Sequence, residues 1–562
     1  MIACHVRFRE KYLFLLALSI ILLFTFTTYT FTTDIGIKRA NIEFERDDHV
    51  FINQRATLQI TNEQDIEPKE VYNVTRIRDK IILSGDLPLI SGGEDAQKIS
   101  RQRRDKVKQM MLHSWNGYKN YSWGYNELSP LNKNGHLTSI FGQEKLGATI
   151  IDAMDTLFIM GLHEEFNEAK LWLEQCDFNS VSSYVSVFEV NIRFIGGLLT
   201  CYALTGDDLF RDKAKSIAEK LLPAFNTPTG IPYSLVNLST GKLMNYYWAS
   251  KGSSILSEYG SLYLEFAYLS EITGNPIFKN KVDDIMEFLD KKVKPNGLYP
   301  NYIDPKTGKW TGMHVSMGSL GDSFYEYLLK IWLQSNKKND MPRRMFEEAI
   351  DAMLEQMLFI SKEGLVHFSE LKNGNPDHVM EHLACFSGGL LGLASVTLNN
   401  SKSEKYLKTG ADLTHTCHES YDRSETKLGP ERFRFRVGQE AKASNHGDKY
   451  YILRPEVVES YFYMYRLTKD EKYRDWGWEA VKAIEKHCKV ASGGYSGIKN
   501  VYDSNPIKDD VQQSFFLAET LKYLYLLYSD EKLISLDKWV FNTEAHPLPI
   551  KNANPYFRVT TM

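Results

Sequence analysis

Seven strongly apolar stretches with helical periodicity recur along this chain, near Ala148–Leu162, Val185–Leu204, Ser254–Ile272, Gly321–Trp332, Met380–Leu398, Pro455–Leu467 and Gln513–Tyr528. Each is followed by a more amphipathic stretch, such as KAKSIAEKLLPAF or WGWEAVKAIEKH. A helix apolar on all sides must be buried on all sides, whereas an amphipathic one covers a single flank. Seven such pairs predict an all-α fold in which an apolar inner set, wrapped by an outer set, closes into a ring. An open stack of helical repeats satisfies the same periodicity. The links between partners also recur: LTGDDLFRDK at 204–213, ITGNPIFKNK at 272–281 and LTKDEKYRDW at 467–476 each predict a tight turn between two helices. β-prone segments such as GLYPNYIDPKTGKWTG (297–312) predict small hairpins between the helices.

The apolar stretches carry acids at matching offsets. Asp152 and Asp155 are three apart, Glu189 and Arg193 four, Glu258 and Glu265 seven, Asp322 and Glu326 four, and Glu456 and Glu459 three, while Glu519 sits in SFFLAETLKYLYLL. On a regular helix these offsets share one face. One such acid is explained by the positive helix N-terminus or by an ion pair. The same layout along the whole set predicts convergence, and carboxylates among Phe, Tyr and Leu are costly to bury unless paired, metal-linked or functional. An oxygen-only, acid-rich site favours calcium over zinc. Paired carboxylates are also the machinery of glycoside hydrolysis, one as acid and one as base or nucleophile. His382, a single histidine on an apolar helix, reads by itself as a satisfied core residue.

Residues 12–33 carry no charge and are long enough to span a bilayer, with Arg7, Arg9 and Lys11 before them. The expected layout is a cytosolic tail (1–11), a transmembrane signal-anchor (12–33), a polar luminal stem (34–102), a catalytic domain (103–551) and a short C-terminal tail (552–562); a cleaved signal peptide is the alternative for the apolar run. The net charge of −4 offers no basic excess for nucleic acid. Five of the six cysteines follow the apolar run, an odd number, and none forms a CxxC pair. Asn73, Asn120, Asn237 and Asn399 begin glycosylation sequons.

GATIIDAMDTLFIMGL, SVFEVNIRFIGGLL, GDSFYEYLLKIWL, MEHLACFSGGLLGL, YILRPEVVESYFYMYRLT, SFFLAETLKYLYLL and VFNTEAHPL, spread between about residues 103 and 549, resemble the class I α-1,2-mannosidases of glycoside hydrolase family 47. The resemblance implies an (αα)7 barrel and inverting, Ca2+-dependent removal of terminal α-1,2-linked mannose from high-mannose N-glycans. It implies Glu189 as general acid, acting through a water, Glu456 as general base, and Asp322 as a third essential carboxylate, either acid or electrostatic helper. It further implies that Arg193, Glu265, Glu326, His382, Arg454, Glu459, Phe515, Glu519 and Glu544 hold sugar or calcium-bound waters, that Thr543 is the calcium ligand, and that Cys385 and Cys417 form a disulfide. For His382 the resemblance overrides the core reading. Leu320, two residues before Asp322, resembles the Golgi members, which trim toward a five-mannose glycan. The expected location is therefore the Golgi membrane, with the catalytic domain in the lumen. The rival readings are a mannose-binding or endoplasmic-reticulum degradation relative with weak or single-mannose trimming, and a helical scaffold with no chemistry.

Overall fold

The computed structural model describes residues 87–558 apart from residue 89; the expected tail, anchor and most of the stem, with Asn73, lie outside the described residues. The described chain is mostly helical with several small antiparallel sheets. Its principal helices are α1 (Lys98–Ser122), α2 (Ala148–Ile159), α3 (His163–Gln175), α4 (Val187–Thr205), α5 (Asp208–Leu221), α6 (Tyr263–Thr273) and α7 (Ile277–Lys291). They continue as α8 (Asp322–Gln334), α9 (Asp340–Gln356), α10 (Phe386–Leu398), α11 (Ser403–Asp422), α12 (Glu456–Thr468), α13 (Lys472–His487) and α14 (Leu521–Leu527).

The even-numbered helices are the predicted apolar set. Each packs on the next: α2 on α4, α4 on α6, α6 on α8, α8 on α10, α10 on α12, and α12 on α14. The turn Phe516–Thr520 that leads into α14 packs back on α2, so the chain of contacts closes on itself. Odd-numbered helices pack outside their predecessors, and α1 supplies the outer partner of α14. An open stack is thereby excluded. The helix α4 is apolar and long enough to cross a membrane, yet it is buried within this ring. Gly196 in α4 permits close approach, since a Cβ there would lie 2.5 Å from the Asn542 amide.

The three recurrent turns have one local structure. Each inner helix ends in a left-handed residue, Gly206, Gly274 or Lys469, the conformation that terminates many helices. In each, the preceding threonine hydroxyl (Thr205, Thr273, Thr468) donates to a carbonyl four residues back, at 2.7, 2.6 and 2.6 Å, and accepts from the amide two residues on. The segment 302–311 forms the expected tight hairpin, with Thr311 N donating to Tyr302 O at 3.0 Å.

Two small sheets position the site. In the first, β1 (Tyr184–Ser186), β2 (Leu235–Asn237) and β3 (Leu243–Met244) run antiparallel in that order, and β1 leads directly into α4. The second is a hairpin of β4 (Trp539–Phe541) and β5 (Pro547–Pro549) that packs on α4, α6 and α8 from inside the ring. Residues 542–546 form its turn, and Lys551, just beyond β5, donates its amide to Gln334 at the C-terminal end of α8. The hairpin therefore enters from the C-terminal ends of the inner helices and sends its turn toward their N-terminal ends.

Cys385 and Cys417 form a disulfide joining the start of α10 to α11, while Cys176, Cys201 and Cys488 are free thiols. Asn120 and Asn399 are exposed; Asn237, the last residue of β2, is buried, and its side-chain amide donates to Ser182 O just before β1. The disulfide closes a loop of 32 residues. Replacing both cysteines by alanine is expected to lower unfolding free energy by about 3–4 kcal/mol, by the loop-closure entropy restored to the unfolded chain, read as a lower denaturant midpoint with a slope no smaller than that of the parent.

Candidate active site

The N-terminal residues of inner helices α4, α8 and α12 meet at one end of the ring. There, Glu189 lies three residues inside the N-cap Ser186, whose hydroxyl accepts from the Glu189 amide at 3.2 Å. Asp322 and Glu456 are the first residues of α8 and α12. A pocket of about 280 Å³ collects Glu189, Arg193, Asp322, Glu326, Arg454, Glu456, Glu459, Phe515, Glu519, Thr543 and Glu544. Residues from four inner-helix segments, those of α4, α8 and α12 and the one leading into α14, thus meet the tip of the floor hairpin. Helix N-termini carry partial positive charge, which favours anions at this end.

The contacts divide the carboxylates into two kinds. Glu456 accepts from His382 Nδ1 at 2.6 Å, lies 3.6 Å from Arg454, and His382 Nε2 is 2.7 Å from the Tyr421 hydroxyl. Arg454 is itself fixed by a two-pronged pair with Glu431, both bonds 2.6 Å. Burial works to raise the Glu456 pKa, but His382 and Arg454 outweigh it and hold the carboxyl below its ordinary range. Asp322 is the opposite case. Burial, with the like charges of Glu381, Glu326 and Glu456, pushes it up to about 8, against one opposing bond from the Ser323 amide.

Deeper in the pocket, Glu459, Glu519 and Glu544 are pushed well above the ordinary carboxylate range, first by burial and then by one another and by neighbouring acids. The local cations are already engaged: Lys330 bonds Glu326, and Arg193 bonds Glu189 at 2.8 Å and also Glu544. Under the hairpin, His546 lies between Asp155 (3.0 Å) and Asp152 (3.2 Å), and Lys522 bonds Asp155 at 2.6 Å and the Ala545 carbonyl at 2.7 Å. This buried network fixes the turn that carries Thr543. Among the described residues no three His, Cys, Asp or Glu side chains converge tightly enough to bind a metal directly. A hard cation would fit instead on the Thr543 oxygens with waters between it and the acids, and its charge would relieve the repulsion.

Two predicted residues stand outside the pocket wall. His382 lies behind Glu456. Glu265 is fully buried, accepting from Tyr327 (2.7 Å), Asn542 (2.8 Å) and Asn191 (2.9 Å). The seven-residue spacing of Glu258 and Glu265 predicts one helix face, but the helix breaks at Ser261 and separates them. Glu258 instead lies near Glu189, pushed up to about 8 chiefly by burial. The spacing of Glu189 and Arg193 survives a local π-turn over Val190–Ile195, a feature frequent at functional sites. Phe188, Leu320, Leu383 and Phe386 complete the wall. As apolar residues in or beside apolar helices they carried no distinguishing sequence signal, except Leu320 through its place before Asp322.

A ring of helices that brings together one stabilised carboxylate and one proton-holding carboxyl has the equipment of a glycoside hydrolase. The profile of glycosyl hydrolase family 47 matches residues 110–550, and the chain belongs to that family. It is 58% identical over 478 residues to mannosyl-oligosaccharide alpha-1,2-mannosidase IA of Drosophila melanogaster, covering 84% of this chain and 72% of the relative. It is 56% identical over 462 residues to mannosyl-oligosaccharide 1,2-alpha-mannosidase IB of Mus musculus, covering 82% and 72%. The solved alpha-1,2-mannosidase from Trichoderma reesei superposes with a TM-score of 0.74 at 29% identity, covering 80% of this chain and 99% of that one.

Asp322 binds its proton more tightly in the folded protein than when unfolded, so its contribution to stability is present at low pH and lost as pH rises toward about 8. In a calcium-free buffer the melting temperature is expected to fall between pH 5 and pH 8 by the usual linkage, and Asp322→Asn should flatten that slope. A slope indifferent to Asp322→Asn would refute the assignment.

Proposed function

We propose that the described ring is an (αα)7 barrel performing Ca2+-dependent, inverting exo-hydrolysis of terminal α-1,2-linked mannose on high-mannose N-glycans. The observation that carries this reading is the divergence of Glu456 and Asp322 within one pocket. Opposite shifts of neighbouring titratable groups identify base and acid. Glu456, kept ionised by His382 and Arg454, takes the proton from the attacking water. Asp322 stores the proton that the departing oxygen needs, and Glu189, held by Arg193, shares that task through a water. Phe515 offers an apolar face to the ring of the bound mannose, and Arg193, Glu326, Glu459, Glu519 and Glu544 bind its hydroxyls or the waters around the ion.

Thr543 would hold Ca2+ through its carbonyl and hydroxyl oxygens. When bound, the ion supplies charge that compensates the buried acids and orients sugar hydroxyls. The names of the curated relatives support the substrate class. Leu320 supports removal of several mannoses, because an apolar side chain on the pocket wall leaves no guanidinium fork to fasten a single branch. For location we infer a Golgi membrane protein anchored by residues 12–33, on the strength of that apolar run and the basic residues before it.

Glu456→Gln is expected to retain glycan binding and lose at least ~10²-fold in kcat, the scale of a positioned general base, measured as mannose released from a nine-mannose glycan. Normal turnover by that variant would remove Glu456 from the reaction. A Ca2+ chelator is expected to stop release and lower the melting temperature, because an ion bound only by the folded state stabilises it. Glycan binding by the calcium-loaded wild type without any free mannose would favour the lectin-like alternative.

A further inference from the structure

The pocket volume of 280 Å³ falls below the roughly 300–1,000 Å³ usual for drug-sized ligands. It admits a terminal sugar, so the remainder of a branched glycan must lie on the rim. Among the described residues, Tyr247 and Trp248 are the exposed aromatic side chains, at 93% and 52% exposure, in a chain whose other described aromatics are buried or half-buried. They are adjacent, at the centre of a turn closed by Ala249 N donating to Tyr246 O at 3.1 Å. The turn is anchored. Ala249 is buried, Asn245 accepts from the Ser234 amide at 2.7 Å and donates to Gly252 O at 2.8 Å, and Ser250 donates to Thr311 O at 2.6 Å.

The turn is also continuous with the site. It follows β3, which shares a sheet with β1, the strand that leads into Glu189. Trp248 stacks on Tyr246 with ring centroids 5.0 Å apart, and the Tyr246 hydroxyl faces Ser186 and Glu258 beside Glu189. An exposed pair of amphipathic aromatics held rigidly has the properties of a recognition surface, and the C–H face of a hexose is the apolar surface a glycan offers.

We propose that Tyr247 and Trp248 form an aromatic ledge at the pocket rim on which a mannose ring from another branch of the same glycan, one that a disaccharide lacks, stacks while the terminal mannose occupies the pocket. This rests on the glycan-hydrolase reading above and adds a subsite to it. The full chain and its Tyr247→Ala/Trp248→Ala variant are compared on a nine-mannose N-glycan and on free α-1,2-mannobiose. The variant is expected to lose about threefold to tenfold in kcat/KM for the glycan, the worth of one or two stacking contacts, mainly through KM, with no matching loss for the disaccharide. Equal losses on both substrates, or none on either, overturn the ledge. In the Glu456→Gln background the same pair of changes should weaken the glycan's Kd by a similar factor. That measurement needs no turnover, so an inactive wild type sinks the hydrolase reading alone, whereas an unchanged Kd sinks the ledge.

Discussion

Like charge confined at one end of a closed ring of helices is the constraint on which the rest of this structure depends. Glu459, Glu519 and Glu544 sit where water is scarce, and each is pushed up first by burial and then by acids beside it, Glu326 and Glu456 for Glu459, Glu456 and Glu459 for Glu519, and Asp152 and Glu519 for Glu544. A cluster of that kind tolerates burial only if protons, cations or helix dipoles offset it. All three devices are present. Inner-helix N-termini face the cluster, Arg193 and Lys330 are paired into it, and Asp322 retains a proton.

The hairpin of β4 and β5 converts that electrostatic arrangement into a site. It enters from the opposite end of the ring, and its turn is held by side chains remote in sequence. Asn542 bonds both Glu265 and the Ile192 carbonyl, and Lys522 bonds the Ala545 carbonyl. The Asp152–His546–Asp155–Lys522 network lies beneath it with every member buried. A fully satisfied buried polar network of this kind favours one geometry over its neighbours, and so holds the turn that carries Thr543 in one place. The cost of burying these charges is accepted where position matters.

Much of the fold was legible because the inner helices are apolar on every side, a pattern that has no stable alternative to full burial. The recurrent Thr–Gly and Thr–Lys turns were legible for a local reason, the left-handed residue and the threonine bonds that stop each helix. The site was legible wherever an acid interrupted an apolar run, as at Glu189, Asp322, Glu456 and Glu519. It was not legible where spacing assumed an unbroken helix. Ser261 divides Glu258 from Glu265. The apolar wall of Phe188, Leu383 and Phe386 could not be told from ordinary core, because periodicity reports burial and not which cavity a side chain borders.

The sequence alone determined that seven apolar helices must be sheathed by amphipathic ones and that their acids recur, since hydrophobic period and residue type act locally along the chain. Tertiary structure alone decided ring over stack, because closure is a contact between the segment before α14 and α2, hundreds of residues apart. It also decided which carboxyl keeps its proton. That choice depends on His382 and Arg454 beside Glu456 and on three acids around Asp322, and a charge feels its neighbours in space, not in order along the polypeptide.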